Sequence, residues 1–220
     1  MNDDDRLTTF INSFDKGYTP FLEELEKQAL KDRVPIIRKD MQGLMRYLMI
    51  AHRPMSILEV GTATGFSALL MHTYAPKGCH ITTIEKYEPR IPVARDNFKR
   101  AGAEDDITLI EGDAAEVLKN LDERFDFIFM DAAKGQYIHF LPDVLRLLKE
   151  GGTLVTDNVL KGGEILESKY IVTRRNRTIH NRMRDYIHEL KNTPSLETVI
   201  LNVGDGVTVS CKIQENEDEK

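Results

Sequence analysis

From Ser56 onward, five short apolar runs recur between helix-length segments: 57–60, 81–84, 107–110, 127–130 and 153–156. Runs this brief, apolar on both faces, suit strands covered by helices on each side, as a parallel sheet requires. The rhythm then breaks. Residues 196–203 and 206–213 are β-rich and joined tightly through Gly204-Asp205-Gly206, which predicts an antiparallel hairpin rather than another crossover. The expected core, residues 56–213, is therefore α/β: a mostly parallel seven-stranded sheet, helices on both faces, and a C-terminal antiparallel hairpin. Open sheets of this kind take ligands beyond the carboxyl ends of their strands, so the residues there carry the functional reading.

Ahead of this core, Leu7, Phe10, Ile11 and Phe14 recur at helical spacing, as do Leu22, Leu25 and Ala29, then Leu44 and Leu48. Pro20 and Pro35 punctuate them, since proline is poorly tolerated inside a helix. Residues 1–55 are expected to be helical and to pack on the same domain, and 214–220, polar and mostly acidic, to fray. No run approaches the roughly 20 apolar residues of a membrane span. Met1 to Arg6 is acidic where a signal peptide is basic, so a cytoplasmic protein is expected. Cys79 and Cys211 show no Cys-x-x-Cys spacing and read as free thiols. A net charge of −6 argues against a protein that coats nucleic acid with its whole surface, but leaves room for a local basic face.

Three consecutive strand ends suit one nucleoside. The first is Glu59-Val60-Gly61-Thr62-Ala63-Thr64-Gly65-Phe66-Ser67, whose glycines let the backbone turn and approach a ligand. The second ends at Glu85, placed to accept hydrogen bonds from both ribose hydroxyls. At the third, Glu111-Gly112-Asp113-Ala114, an acid can receive the amine of adenine. A dinucleotide fingerprint has glycine where this chain has Glu59, which disfavours a pyrophosphate in the first turn.

The next two strands end in Met130-Asp131-Ala132-Ala133-Lys134 and Thr156-Asp157-Asn158. Two carboxylates and an amide carbonyl on neighbouring strand ends form a hard oxygen set suited to Mg2+. Taken singly, Asp131 reads equally well as a helix cap and Asp157-Asn158 as a turn. Lys134, three residues beyond Asp131, can reach the same place, where a bound cation disfavours its protonated form and makes it available as a base.

These motifs, with Gly135-Gln136-Tyr137 and Val159-Leu160, resemble the cation-dependent class I O-methyltransferases of the catechol and caffeoyl-coenzyme A type. The similarity runs from Val34-Pro35-Ile36-Ile37 through Val203-Gly204-Asp205-Gly206-Val207, and within the family it is nearest the bacterial branch that methylates 5-hydroxyuridine in tRNA. The resemblance implies a Rossmann-like fold and S-adenosylmethionine and Mg2+ as cofactors. It implies Asp131, Asp157 and Asn158 as metal ligands and Lys134 as proton acceptor. Around S-adenosylmethionine it implies Ile37, Gly61, Ser67, Glu85, Asp113, Ala114 and Asp131. It also implies a homodimer, for which the N-terminal apolar faces offer material.

The acceptor is the open question. Catechol and 5-hydroxyuracil both offer two adjacent oxygens, so the chemistry does not separate them. Residues 169–184 hold Lys169, Arg174, Arg175, Arg177, Arg182 and Arg184, a concentration of cations in an acidic chain. Lys161, Arg174, Arg175, Arg177 and Arg182 are the expected contacts to the phosphates of a tRNA anticodon arm, whose loop can present an unstacked base. Coenzyme A phosphates could use the same arginines, a small catechol would need none, and a tRNA-binding module that holds the cofactor without turnover is the non-enzymatic alternative.

Overall fold

The apolar runs become strands, and period-two alternation divides their side chains between two faces. The computed structural model describes residues 3–160, 165–167, 172–173 and 176–214. Its parallel strands are β1 (Ser56–Val60), β2 (His80–Glu85), β3 (Ile107–Glu111), β4 (Phe125–Met130) and β5 (Leu148–Thr156), followed by β6 (Leu196–Leu201) and β7 (Val207–Lys212). The helices are α1 (Asp3–Asn12), α2 (Pro20–Lys31), α3 (Lys39–His52), α4 (Phe66–Tyr74), α5 (Ile91–Arg100), α6 (Ala114–Asn120), α7 (Tyr137–Leu147) and α8 (Arg177–Asn192). The sheet order is β3-β2-β1-β4-β5-β7-β6, with β7 antiparallel to both its neighbours.

Ile57, Phe127 and Phe129 face one core, shared with Met41 and Met45 of α3 and Phe66 and Leu69 of α4. Leu58, Val60, Ile128 and Met130 face the other, shared with Tyr137, Phe140 and Val144 of α7 and Tyr186 of α8. The sheet is thus covered on both faces, and α2 and α3 belong to the first cover. Pro20 opens α2 rather than interrupting it: Thr19 caps the helix, its hydroxyl accepting from Leu22 N at 3.3 Å. Helix α1 behaves differently. Leu7, Phe10 and Ile11 are 54–61% exposed, and Phe14 beyond its end is 69% exposed, so this apolar face is not spent on the chain's own core.

Two boundaries differ from the pattern in the sequence. Strand β5 begins at Leu148, five residues ahead of the apolar run, because Lys149–Gly152 continues it through a register shift between Phe125 and Phe127 of β4. Gly152 allows this: a Cβ there would lie 2.7 Å from Lys149 O and 3.1 Å from Asp126 O. The hairpin is shorter than its β-rich composition, with residues 202–206 forming its loop. Cys79 and Cys211 are free thiols, and no described helix is long and apolar enough to cross a membrane.

The strand order reverses between β1 and β4, which opens a crevice at their carboxyl ends.

Candidate active site

Gly61 follows β1 with φ +106°, and a Cβ on it would lie 2.2 Å from Asp131 O. Only glycine lets the two strand ends at the crevice come this close. The turn is fastened to β2 by Gly61 N and Thr62 N, which donate to Ile84 O at 3.0 and 3.2 Å. Beneath it, Glu59 is fully buried. Its two carboxylate oxygens accept from Ser67 Oγ and Thr83 Oγ1, each at 2.5 Å, and Thr83 Oγ1 lies 2.6 Å from Thr62 Oγ1. Burial pushes Glu59 up to about 7, against the two hydroxyl donors that favour its charged form. In the sequence Glu59 counted as a departure from the dinucleotide pattern and as the opening of the Glu-x-Gly-x-x-x-Gly turn; the fold makes it the anchor of Ser67.

The end of β2 is built as an acceptor. Glu85 is 8% exposed, and its carboxylate receives Ala63 N at 2.8 Å, Lys86 N at 3.0 Å and Tyr87 N at 2.8 Å. At the end of β3, Asp113 caps α6 through Ala115 N at 2.9 Å and pairs with Lys86 at 3.2 Å, and these contacts, the amide first, hold its pKa below the ordinary value. Ala114 opens that helix.

Across the crevice, Asp131 Oδ1 accepts from Asn158 Nδ2 at 2.9 Å, and Asp157 Oδ1 accepts from Asn158 N at 2.6 Å. Asn158 has φ +65°, a left-handed backbone that turns its amide back toward Asp131. Burial raises Asp157 to about 7, with the charge of Asp131 adding to it. Loss of solvent raises Asp131 too, opposed by Lys134 and Asn158. Lys134, half-buried, opens a 3-10 turn (Lys134–Gln136), close enough for its charge to act on both carboxylates. Tyr137, which the sequence left without a role, joins the two arms: its hydroxyl lies 3.1 Å from Ala132 O and 3.3 Å from Asp157 O. Among the described residues no group of three or more His, Cys, Asp or Glu is placed to hold a metal. The arrangement here is two carboxylates and one amide.

One cavity of about 880 Å³ runs past these strand ends, within the range of small-molecule sites, and Lys134 stands beside its wall rather than in it. Ile37, Gly61, Ser67, Glu85, Asp113 and Ala114 line it, and so do Asp131, Asp157 and Asn158. Residues that the sequence did not place at the site also line the wall: Arg38 on the N-terminal side, and Gly204 and Asp205 from the hairpin loop. Arg38 pairs with Asp205 at 2.8 Å, and Asp40 accepts from Gly204 N at 2.7 Å, so the N-terminal end of α3 is tied across the crevice. The glycine-flanked Asp205, at the same sheet edge as Asp157, was the available signal.

Of the basic cluster, Lys161, Lys169, Arg174 and Arg175 lie outside the described residues. The remaining three each donate to a backbone carbonyl: Arg177 to Val172 O at 3.1 Å, Arg182 to Gly135 O at 3.0 Å and Arg184 to Ile165 O at 3.1 Å.

The model of the O-methyltransferase family matches residues 12–213. A caffeoyl-CoA O-methyltransferase of Populus kitakamiensis is 30% identical over 186 residues, 82% of this chain and 78% of that one. A catechol O-methyltransferase of Mycobacterium tuberculosis is 35% identical over 111 residues, half of each chain. Among solved structures, the methyltransferase PaMTH1 of Podospora anserina, bound to SAH, superposes with a TM-score of 0.86 at 26% identity over 97% of both chains. With the family model spanning nearly the whole chain and a sheet, crevice and strand-end chemistry that agree with it, this chain belongs to the O-methyltransferase family.

Proposed function

We propose that this O-methyltransferase moves the methyl group of S-adenosylmethionine to a hydroxyl oxygen that has a second oxygen beside it, with Mg2+ held by Asp131, Asp157 and Asn158 and with Lys134 as the proton acceptor. The observation that carries the reading is the meeting of Asp131, Asp157 and Asn158 in the wall of a cavity that Glu85 also lines, with Lys134 near enough for its charge to act on both carboxylates. The family and the SAH-bound relative support the donor. The donor set fits a hard divalent cation: two carboxylates, one raised by burial and by the other's charge, gain from a positive charge between them. Turning the Asn158 amide about its last bond brings an oxygen to the same place. Mg2+ bound there supplies acidification of the acceptor hydroxyl and alignment of the two oxygens.

The chain's own residues do the rest. Gly61 and Ser67 border the space for the amino acid end of the donor, Glu85 accepts from its ribose hydroxyls, and Asp113 with Ala114 meets the adenine. Ile37 closes the cavity from the N-terminal side. Lys134 Nζ takes the hydroxyl proton, the oxygen forms its bond to the methyl carbon, and the carbon–sulfur electrons return to sulfur to leave a neutral thioether. The lysine then loses its proton to water. Positioning supplies most of the acceleration in such a displacement.

We read the acceptor as 5-hydroxyuridine in a tRNA anticodon arm, giving 5-methoxyuridine, in the cytoplasm. The support is the cation-rich stretch 169–184 in a chain of net charge −6. A catechol or caffeoyl-CoA acceptor is equally supported, by the relatives that carry those names. The exposed face of Leu7, Phe10 and Ile11 supports a homodimer. Incubation with methyl-labelled donor and Mg2+ against total tRNA, catechols and caffeoyl-CoA tests the reading. Label in tRNA alone upholds it, label in a phenol alone replaces the acceptor, and no label with any of them leaves a cofactor-holding module.

A further inference from the structure

The basic helix α8 has an arginine engaged on the catalytic side of the molecule. Arg182 is half-buried, and its Nη1 donates to Gly135 O at 3.0 Å. Gly135 is the middle residue of the 3-10 turn that Lys134 opens. A Cβ on Gly135 would lie 3.5 Å from Ile179 Cγ1 and 3.9 Å from Arg182 Nη1, so α8 lies flush against the turn. Around the turn, Gln136 N donates to Ala133 O at 2.8 Å and the Tyr137 hydroxyl lies 3.1 Å from Ala132 O. The Tyr137 ring in turn packs on Tyr186 of α8, with centroids 5.6 Å apart.

A three-residue 3-10 turn has little of its own to hold it, since its hydrogen bonds are few and poorly aligned. Lysine adds a flexible four-carbon stem, so the place from which Nζ reaches is set by how firmly the backbone is held. Tyr137 ties the segment back to Ala132 at the end of β4, and Arg182 holds the turn from α8 through the carbonyl of Gly135. The same guanidinium was a natural choice for a phosphate contact, but its geometry is that of a brace. We propose that Arg182 is a positioning residue for methyl transfer, fixing from α8 the turn that presents Lys134 to the acceptor hydroxyl. This rests on Lys134 being the proton acceptor.

Arg182→Met keeps the aliphatic stem and removes the donors; Arg182→Lys keeps a charge and a donor. Both are assayed on a small catechol, which has no phosphate, and on tRNA. For Arg182→Met, kcat falls roughly 10- to 100-fold on every acceptor the wild type uses, with acceptor KM and the Kd for S-adenosylhomocysteine within about twofold, and Arg182→Lys recovers part of the loss. A raised KM confined to tRNA, with kcat unchanged, makes Arg182 a phosphate contact and overturns the proposal. Amide exchange supplies a readout without turnover: in Arg182→Met, residues 134–137 exchange about tenfold faster while α4 keeps its wild-type protection. Unchanged exchange in the turn overturns the brace. Lys134→Ala alone separates the two levels: if it turns over normally, the base assignment falls and the proposal with it. If it is impaired, adding Arg182→Met costs nothing further, whereas additive losses show that Arg182 acts elsewhere and overturn the proposal.

Discussion

Asn158 sits at φ +65°, a backbone conformation that glycine occupies more easily than any side chain. Asn158→Gly therefore keeps the turn and deletes only the amide, so stability in urea stays within about 1 kcal/mol of wild type while labelled-methyl transfer falls at least about tenfold. Glu59 gives a second residue-scale prediction. Its carboxyl binds a proton more tightly folded than unfolded, so its burial costs nothing below about 4.5, and the cost grows as pH rises and is complete above about 7. That cost is about 3 kcal/mol. Urea unfolding of cation-free protein at pH 5 and pH 8 should show lower stability at pH 8, and Glu59→Gln should flatten the difference, with Asp157, raised in the same direction, retaining its own share. Strand-end acids were legible because their spacing repeats with the strands. Glu59 was not, since nothing in Glu-x-Gly says that the side chain is fully enclosed and meets Ser67 eight residues on.

At the scale of elements, the β1–α4 turn is the least tolerant joint. Gly61→Ala sets a methyl group 2.2 Å from a backbone oxygen that cannot move without shifting β4, at a φ of +106°. The variant should lose more than about 3 kcal/mol of stability, read by thermal melting, and with it measurable S-adenosylhomocysteine binding by calorimetry. The strands themselves were legible from apolar runs bounded by polar residues. The start of β5 was not, because Gly151-Gly152 reads locally as a stop, and only the facing strand makes it a continuation. The role of α8 was hidden for a similar reason: the six cations of residues 169–184 look alike until packing shows that Arg182 meets Gly135. Composition names the charges on a helix, and the neighbouring turn decides what one of them holds.

Taken as a whole, the molecule closes its cavity with parts drawn from both halves of the chain. Arg38 and Asp205 bridge it in the open, where an ion pair is worth no more than about 1 kcal/mol. Arg38→Ala should consequently leave the equilibrium fold unchanged and speed S-adenosylhomocysteine release by no more than about fivefold, measured by stopped-flow displacement. Beside that pair, the bond from Gly204 N to Asp40 joins residues 164 apart. A growing polypeptide has strands β1 to β4 long before it has the loop that finishes the wall. The wall is therefore finished late, and fragments ending ahead of residue 204 should emerge from synthesis with the strand ends that meet the donor in place and the Asp157 side of the crevice still open to water.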